Sequence, residues 1–208
     1  MTETVEQPPV RRKKPWILIA ILFAVFVLPV VVAWILYLNI NSLHFSTTQH
    51  GEFITPPRAL SMATLPLPLT GGTLAPDFFK GRFTLVYMSA AVCNPDCEEA
   101  LMLTRQTRVA LGQKIESVQR LYLVEGAPAN PAKLVREQPG LMVADVSGPA
   151  GQNLIKQFSA DGQSAPDAGK YIYLVDPKGF YIMRYSISGS PEGLLKDLQH
   201  LLGQGGGM

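Results

Sequence analysis

The chain has 208 residues, 47% of them hydrophobic and 16% charged, a balance that excludes an intrinsically disordered protein and supplies enough apolar side chains for a packed core. Its net charge of +2 is local: Arg11, Arg12, Lys13 and Lys14 outnumber Glu3 and Glu6 within residues 1–15, leaving 14 of the 18 basic and 14 of the 16 acidic side chains in 16–208. Without a surplus of Lys and Arg to gather on one face, a nucleic-acid partner is excluded; Gly and Pro without a period exclude collagen-like and repeat architectures.

Residues 16–38 form a run of 23 without a charge. As a helix rising 1.5 Å per residue the run reaches roughly 34 Å, against a bilayer core of about 30 Å, so a single transmembrane helix is predicted. Basic residues stand just before it and the next Lys or Arg after it is Arg58. That asymmetry puts residues 1–15 in the cytoplasm and the chain from 39 onward outside. Trp16 at one end and Trp34 with Tyr37 at the other suit the two headgroup layers. A cleaved signal peptide would carry an apolar core of only about 7 to 15 residues before a small-x-small site, and Val32-Ala33-Trp34 is not one. The compartment implied is a bacterial periplasm, with the chain held in the inner membrane.

Residues 39–76 are rich in Ser, Thr, Pro and Gly and read as a tether, with 65–69 running extended along the domain surface. Beyond it the periodicity predicts a buried strand over 83–89 and a helix over 95–111, stopped by Gly112, with Ala100, Leu103, Thr107 and Ala110 on one face. A second strand over 121–124 completes a βαβ unit. A short helix over 132–138, a strand over 141–145 and a helix over 151–158 follow. Strands over 171–175 and 181–185 then flank Asp176-Pro177-Lys178-Gly179, a turn sequence with Pro and Gly where a hairpin needs them. A helix over 191–202 closes the domain, with Leu194, Leu195, Leu198 and Leu201 facing the sheet, and 203–208 are a tail. The expected fold class is α/β: a mixed sheet sandwiched by helices over 77–202, preceded by one transmembrane helix.

Cys93 and Cys97 are the only cysteines, placed where a strand gives way to a helix. Four residues apart on or entering a helix, their side chains share a face, close enough for a soft metal ion or, after slight fraying, a disulfide. Helix N-terminal amides favour thiolate, whereas Asp96, Glu98 and Glu99 oppose a further negative charge. Two thiolates suit Cu(I); zinc calls for four ligands, and no other cysteine supplies them. A purely structural disulfide is the competing reading, but so short a loop constrains the unfolded chain weakly.

The C-x3-C after an apolar strand, the long helix behind it, the hairpin Tyr171-Ile172-Tyr173-Leu174-Val175-Asp176-Pro177-Lys178-Gly179 and the N-terminal anchor together resemble the Sco/SenC family of thioredoxin-fold, membrane-tethered proteins that help load copper into cytochrome c oxidase. The resemblance implies that Cys93 and Cys97 match the family's two copper-ligating cysteines. It also implies a ligand His shortly before the hairpin, where this chain has Asp167-Ala168-Gly169 instead. Pro166 stands roughly where thioredoxins hold a cis-proline, although an ordinary loop proline is the commoner case. Of the three histidines, His200 complements the dipole near a helix end. His44 and His50 lie in the tether, and His50 is taken as a candidate third copper ligand. Met88, at the end of the first strand, is a soft side chain near the cysteines.

The reading is therefore a membrane-anchored assembly factor for cytochrome c oxidase, in which Cys93 and Cys97 deliver Cu(I) or reduce the thiols of a copper site, with an oxidase subunit or another periplasmic thiol protein as partner. Two alternatives stay open: a periplasmic thiol-disulfide oxidoreductase with another client, and a non-catalytic assembly scaffold holding a structural disulfide.

Overall fold

A computed structural model describes residues 15–38, 50–159 and 169–204. The chain divides into two units, Met1–Thr47 and Thr48–Met208.

In the first unit, α1 spans Pro15–Leu38, 24 residues without a charge and with Pro29 inside. Its described side chains, from Trp16 through Phe23 and Phe26 to Trp34, are largely exposed. No membrane span is recognised among the described residues, and the side chains at 17–20, 32–33 and 35–38 lie outside them. What stands is a helix where one was expected, uncharged along its length and with its described side chains largely exposed.

The second unit is built on a six-stranded sheet in the order β1-β8-β7-β4-β5-β6. Its strands are β1 (Glu52–Ala59), β4 (Phe83–Ser89), β5 (Val118–Val124), β6 (Leu141–Asp145), β7 (Tyr171–Val175) and β8 (Phe180–Ser186); a small arm pairs β2 (Leu65–Pro66) with β3 (Thr73–Leu74). β4, β5 and β6 run parallel, while β7, β8 and β1 are antiparallel additions. The parallel joins need crossovers, supplied by α2 (Pro95–Ala110) and α3 (Pro131–Glu137); α4 (Pro149–Lys156) and α5 (Pro191–Gln204) complete the helices. The hairpin forms as its sequence predicts: Asp176 Oδ1 accepts from the amides of Lys178 (2.9 Å) and Phe180 (2.8 Å), and Gly179 takes φ 88°, a conformation strained for other residues.

Strand alternation sends side chains to two separate cores. Leu85, Tyr87, Tyr122 and Val124 face α2 and α5, meeting Cys97, Ala100, Leu101, Leu194 and Leu198. Val86, Met88, Leu121 and Leu123 face the other way, onto Leu154 of α4, Phe158 and the β2–β3 arm.

Several expectations are corrected here. Residues 52–59, placed in the tether, form β1 at the sheet edge; Pro56 and Pro57 fall between its two paired stretches, where the register shifts, and an edge strand tolerates prolines whose missing N–H would face outward. Leu65, expected on the surface, is 1% exposed. In α2, Ala100, Leu103 and Thr107 are buried as predicted but Ala110 is exposed. The last helix runs on to Gln204; residues 205–208 of the expected tail lie outside the described residues.

Candidate functional site

β4 carries the chain to Ser89, and the turn that follows is shaped by the next helix start. Asn94 caps α2 in an extended conformation, its Oδ1 accepting from the Cys97 amide at 2.9 Å, with Pro95 in the first turn, where its missing N–H costs nothing. Cys97 therefore sits inside the first helical turn, whereas Cys93 precedes the cap. The pair straddles the helix start instead of sharing a helical face, and this lets it close as a disulfide with Cα atoms 5.2 Å apart and no fraying of the helix.

The two sulfurs have unlike surroundings. Cys97 is 0% exposed; Cys93 is partly exposed and lines a groove of about 710 Å³ between α2, the β5–α3 loop and α3. Val92, Leu101, Met102, Pro128 and Leu134 make its apolar lining, and Val92, next to Cys93, is 71% exposed. On the buried side, Ser89 Oγ lies 3.6 Å from Cys97 Sγ, Tyr122 Oη 3.8 Å from it, and the two hydroxyls 2.6 Å from each other. Tyr122 stacks on Tyr87, ring centroids 5.9 Å apart. Burial raises the pKa of both phenols; for Tyr122 the hydrogen bond with Ser89 works in the opposite direction. Both are neutral at ordinary pH. Of the acidic residues opening α2, Glu98 is paired with Lys133 of α3, whose pKa that hydrogen bond raises.

The other residues singled out from the sequence are not gathered around the cysteines. His50 is held against α5: its amide donates to Asp197 Oδ2 (3.0 Å) and its Nδ1 is 3.6 Å from Asp197 Oδ1. It leads into β1, which is three strand positions from β4, roughly 14 Å at about 4.8 Å per strand. His200 lines the same small pocket as His50. Met88 belongs to the core on the opposite face of the sheet, so alternation removes it from the sulfurs. His44, Pro166, Asp167 and Ala168 lie outside the described residues. Gly169, the next residue, donates its amide to Met88 O at 2.8 Å, which brings the chain after position 168 back to the end of β4. Among the described residues no group of three or more His, Cys, Asp or Glu is placed to hold a metal ion.

Sequence reasoning found both cysteines and missed Ser89 and Tyr122. Alternation alone puts Tyr87 and Ser89 on one face of β4, but it takes the pairing of Tyr87 with Tyr122 across β4 and β5 to bring Tyr122 to that face beside them.

No curated protein matches this chain significantly in sequence. Among solved structures it is similar to the solution structure of apo Sco1 from Thermus thermophilus (18% identity, TM-score 0.59, covering 74% of this chain and 96% of that one). It is also similar to yeast Sco1 (16%, 0.58, 72% and 97%) and to yeast Sco1 with copper bound (17%, 0.55, 69% and 93%). At these identities the likeness is one of fold: the mixed α/β arrangement expected from the sequence is the thioredoxin-like fold of the Sco proteins. The family described as transmembrane-like, thioredoxin-like, C-terminal domain matches residues 83–204. Since that stretch runs from the first residue of β4 to the last of α5, takes in both cysteines and covers more than half of the 208 residues, the chain belongs to this family.

Proposed function

We propose that this protein is a membrane-anchored thiol-disulfide exchange factor that prepares the copper-site thiols of a cytochrome c oxidase subunit, with Cu(I) as a second cargo of the same two sulfurs. The observation that carries the reading is the asymmetry of the Cys93–Cys97 pair: one sulfur open to a groove, the other enclosed. In the reduced protein, Cys93 thiolate attacks one sulfur of the client's disulfide, forming a mixed disulfide and releasing the client's other sulfur as thiolate. Cys97, losing its proton, then attacks Cys93 Sγ. The Cys93–Cys97 bond forms, the mixed disulfide breaks, and the second client thiolate leaves and takes up a proton. Two electrons pass to the client, and a dithiol protein of the same compartment restores the reduced pair. The partly exposed, helix-flanking sulfur is the nucleophile such a step needs, and the groove offers the client's flanking residues apolar side chains interspersed with the charges of Glu98, Glu99, Arg105, Lys133 and Glu137.

Copper fits the same site in one oxidation state. Two thiolates hold Cu(I), which accepts soft, low-coordinate sites, whereas Cu(II) favours nitrogen and oxygen ligands in a tetragonal array. Among the described residues, the groups hydrogen-bonded to Cys97 Sγ are the hydroxyls of Ser89 and Tyr122. The uncharged run of α1, with four basic residues just before it and none after it until Arg58, supports an inner-membrane anchor with residues 1–15 cytoplasmic and the sheet unit periplasmic; the resemblance to Sco/SenC proteins supports the oxidase as client.

The test is a titration of the reduced full chain in detergent with Cu(I) and, separately, Cu(II), counting free thiols. One Cu(I) per chain with loss of both thiols, and only weak Cu(II) binding, is expected. Tight Cu(II) binding abolished by His50→Ala would show that the tether supplies a ligand after all. Unchanged thiol counts on adding Cu(I) would remove copper from the proposal and leave exchange alone.

A further inference from the structure

We infer that Ser89 and Tyr122 form a hydroxyl pair that favours the reduced state of the Cys93–Cys97 couple by hydrogen-bonding Cys97 Sγ. This rests on the reading of the two cysteines as an exchange pair and adds residues to which that reading gives no part.

Ser89 Oγ and Tyr122 Oη together carry two protons, and one is used between them across 2.6 Å. The acceptors for the other are the Ala90 carbonyl, 3.1 Å from Ser89 Oγ and 3.4 Å from Tyr122 Oη, and Cys97 Sγ, 3.6 Å and 3.8 Å away. When the sulfur belongs to a disulfide it is a weak, neutral acceptor and the carbonyl competes well. When Cys97 is reduced, the balance changes in either protonation state: a thiolate takes the proton as a charge-assisted bond, and a thiol can donate its own hydrogen to a hydroxyl oxygen. The disulfide can do neither. Enclosure strengthens the effect, since water does not replace a lost partner at a sulfur that is 0% exposed.

The surroundings keep the pair in place. Tyr122 is 1% exposed and stacked on Tyr87, and β4 and β5 are hydrogen-bonded along the whole of β4. The charged groups opening α2 act in the opposite direction: Asp96, Glu98 and Glu99 disfavour a thiolate, with Lys133 offsetting Glu98. The hydroxyls are thus the groups that touch the enclosed sulfur and help it leave the disulfide state.

The test measures the equilibrium of the full chain with dithiothreitol, which gives two electrons and two protons to Cys93–Cys97 and closes to its own cyclic disulfide. Tyr122→Phe, which retains the ring stack, and Ser89→Ala should each make the protein's disulfide harder to reduce. The expected change is up to about tenfold in the equilibrium constant, or about 30 mV for a two-electron couple. Unfolding of each oxidised variant in urea is followed alongside. An equilibrium constant within twofold of the parent for both variants, or a shift toward easier reduction, overturns the inference, whatever the stability does. No client or copper enters this measurement, so failure of the oxidase assignment leaves its outcome unaffected, and failure of the hydroxyl pair leaves that assignment standing.

Discussion

The two faces of the central sheet are made from alternate residues of the same strands and differ sharply in content. The face under α2 and α5 contains Tyr87, Ser89, Tyr122, the cysteines and the guanidinium of Arg120, a buried side chain bonded to Leu101 O, Gln138 Oε1 and Pro139 O. Burial, with Arg108 and Arg105 nearby, lowers the Arg120 pKa to about 10. The face under α4 holds Val86, Met88, Leu121 and Leu123 beneath an aromatic cluster of Phe158, Tyr173 and Tyr181, with ring centroids 5.2 to 5.6 Å apart. A strand one residue out of phase would exchange the two sets; as built, both faces bury a hydrophobic core, and the groups able to tune a sulfur stand on only one of them.

Separability of the faces is open to attack first at Phe158. Truncation to Ala removes the ring that meets both tyrosines, and should cost about 3 to 5 kcal/mol in urea unfolding, with the disulfide's equilibrium against dithiothreitol unchanged within twofold; a shift in that equilibrium would show that the faces communicate. Asp197→Ala probes the α5 side, where one carboxylate oxygen accepts from the His50 and Gly51 amides and from Tyr185. Three donors left without an acceptor should cost about 2 to 3 kcal/mol, and β1 amides should lose hydrogen-exchange protection first.

Replacing both cysteines with Ser touches only the chemical face. The loop closed is so short that chain entropy allows about 2 kcal/mol at most, so a folded, cooperatively melting but inactive protein is expected; loss of folding would instead favour the scaffold reading. The smallest effect concerns Tyr181, whose buried hydroxyl has no hydrogen-bond partner among the described residues. Tyr181→Phe should leave neutral-pH stability unchanged or raise it by up to about 1 kcal/mol. Burial raises the pKa of Tyr87, Tyr122, Tyr181 and Tyr185. Below the ordinary phenol value of about 10 they contribute no pH dependence; above it the unfolded chain ionises first and stability falls by up to about 1.4 kcal/mol per pH unit for each tyrosine. Tyr181→Phe should make that alkaline limb shallower, as a pH series of urea midpoints would show.

Legibility in the sequence followed the strength of local signals. The largely apolar strand of 83–89, the periodic helix over 95–111 and the Asp-Pro-Lys-Gly turn each state their structure within a few residues, and each formed. β1 was hidden because Pro56-Pro57 argues against a strand unless it is known to lie at an edge, and its partner β8 is more than 120 residues away. The cysteines announced the site through their scarcity and their place before a helix. The hydroxyls around Cys97 did not, since which neighbouring strand covers a strand's end is a matter of sheet order, and Tyr122 reads as core until β5 is set beside β4.

The central claim, that Cys93 attacks and Cys97 resolves, is tested most directly by trapping. With Cys97→Ser in the full chain, the mixed disulfide between Cys93 and its client has no resolving sulfur and should accumulate as a reductant-sensitive adduct on a non-reducing gel, while Cys93→Ser should give none. Absence of any adduct from Cys97→Ser, with oxidase assembly proceeding at the parent's level in both variants, would contradict the account.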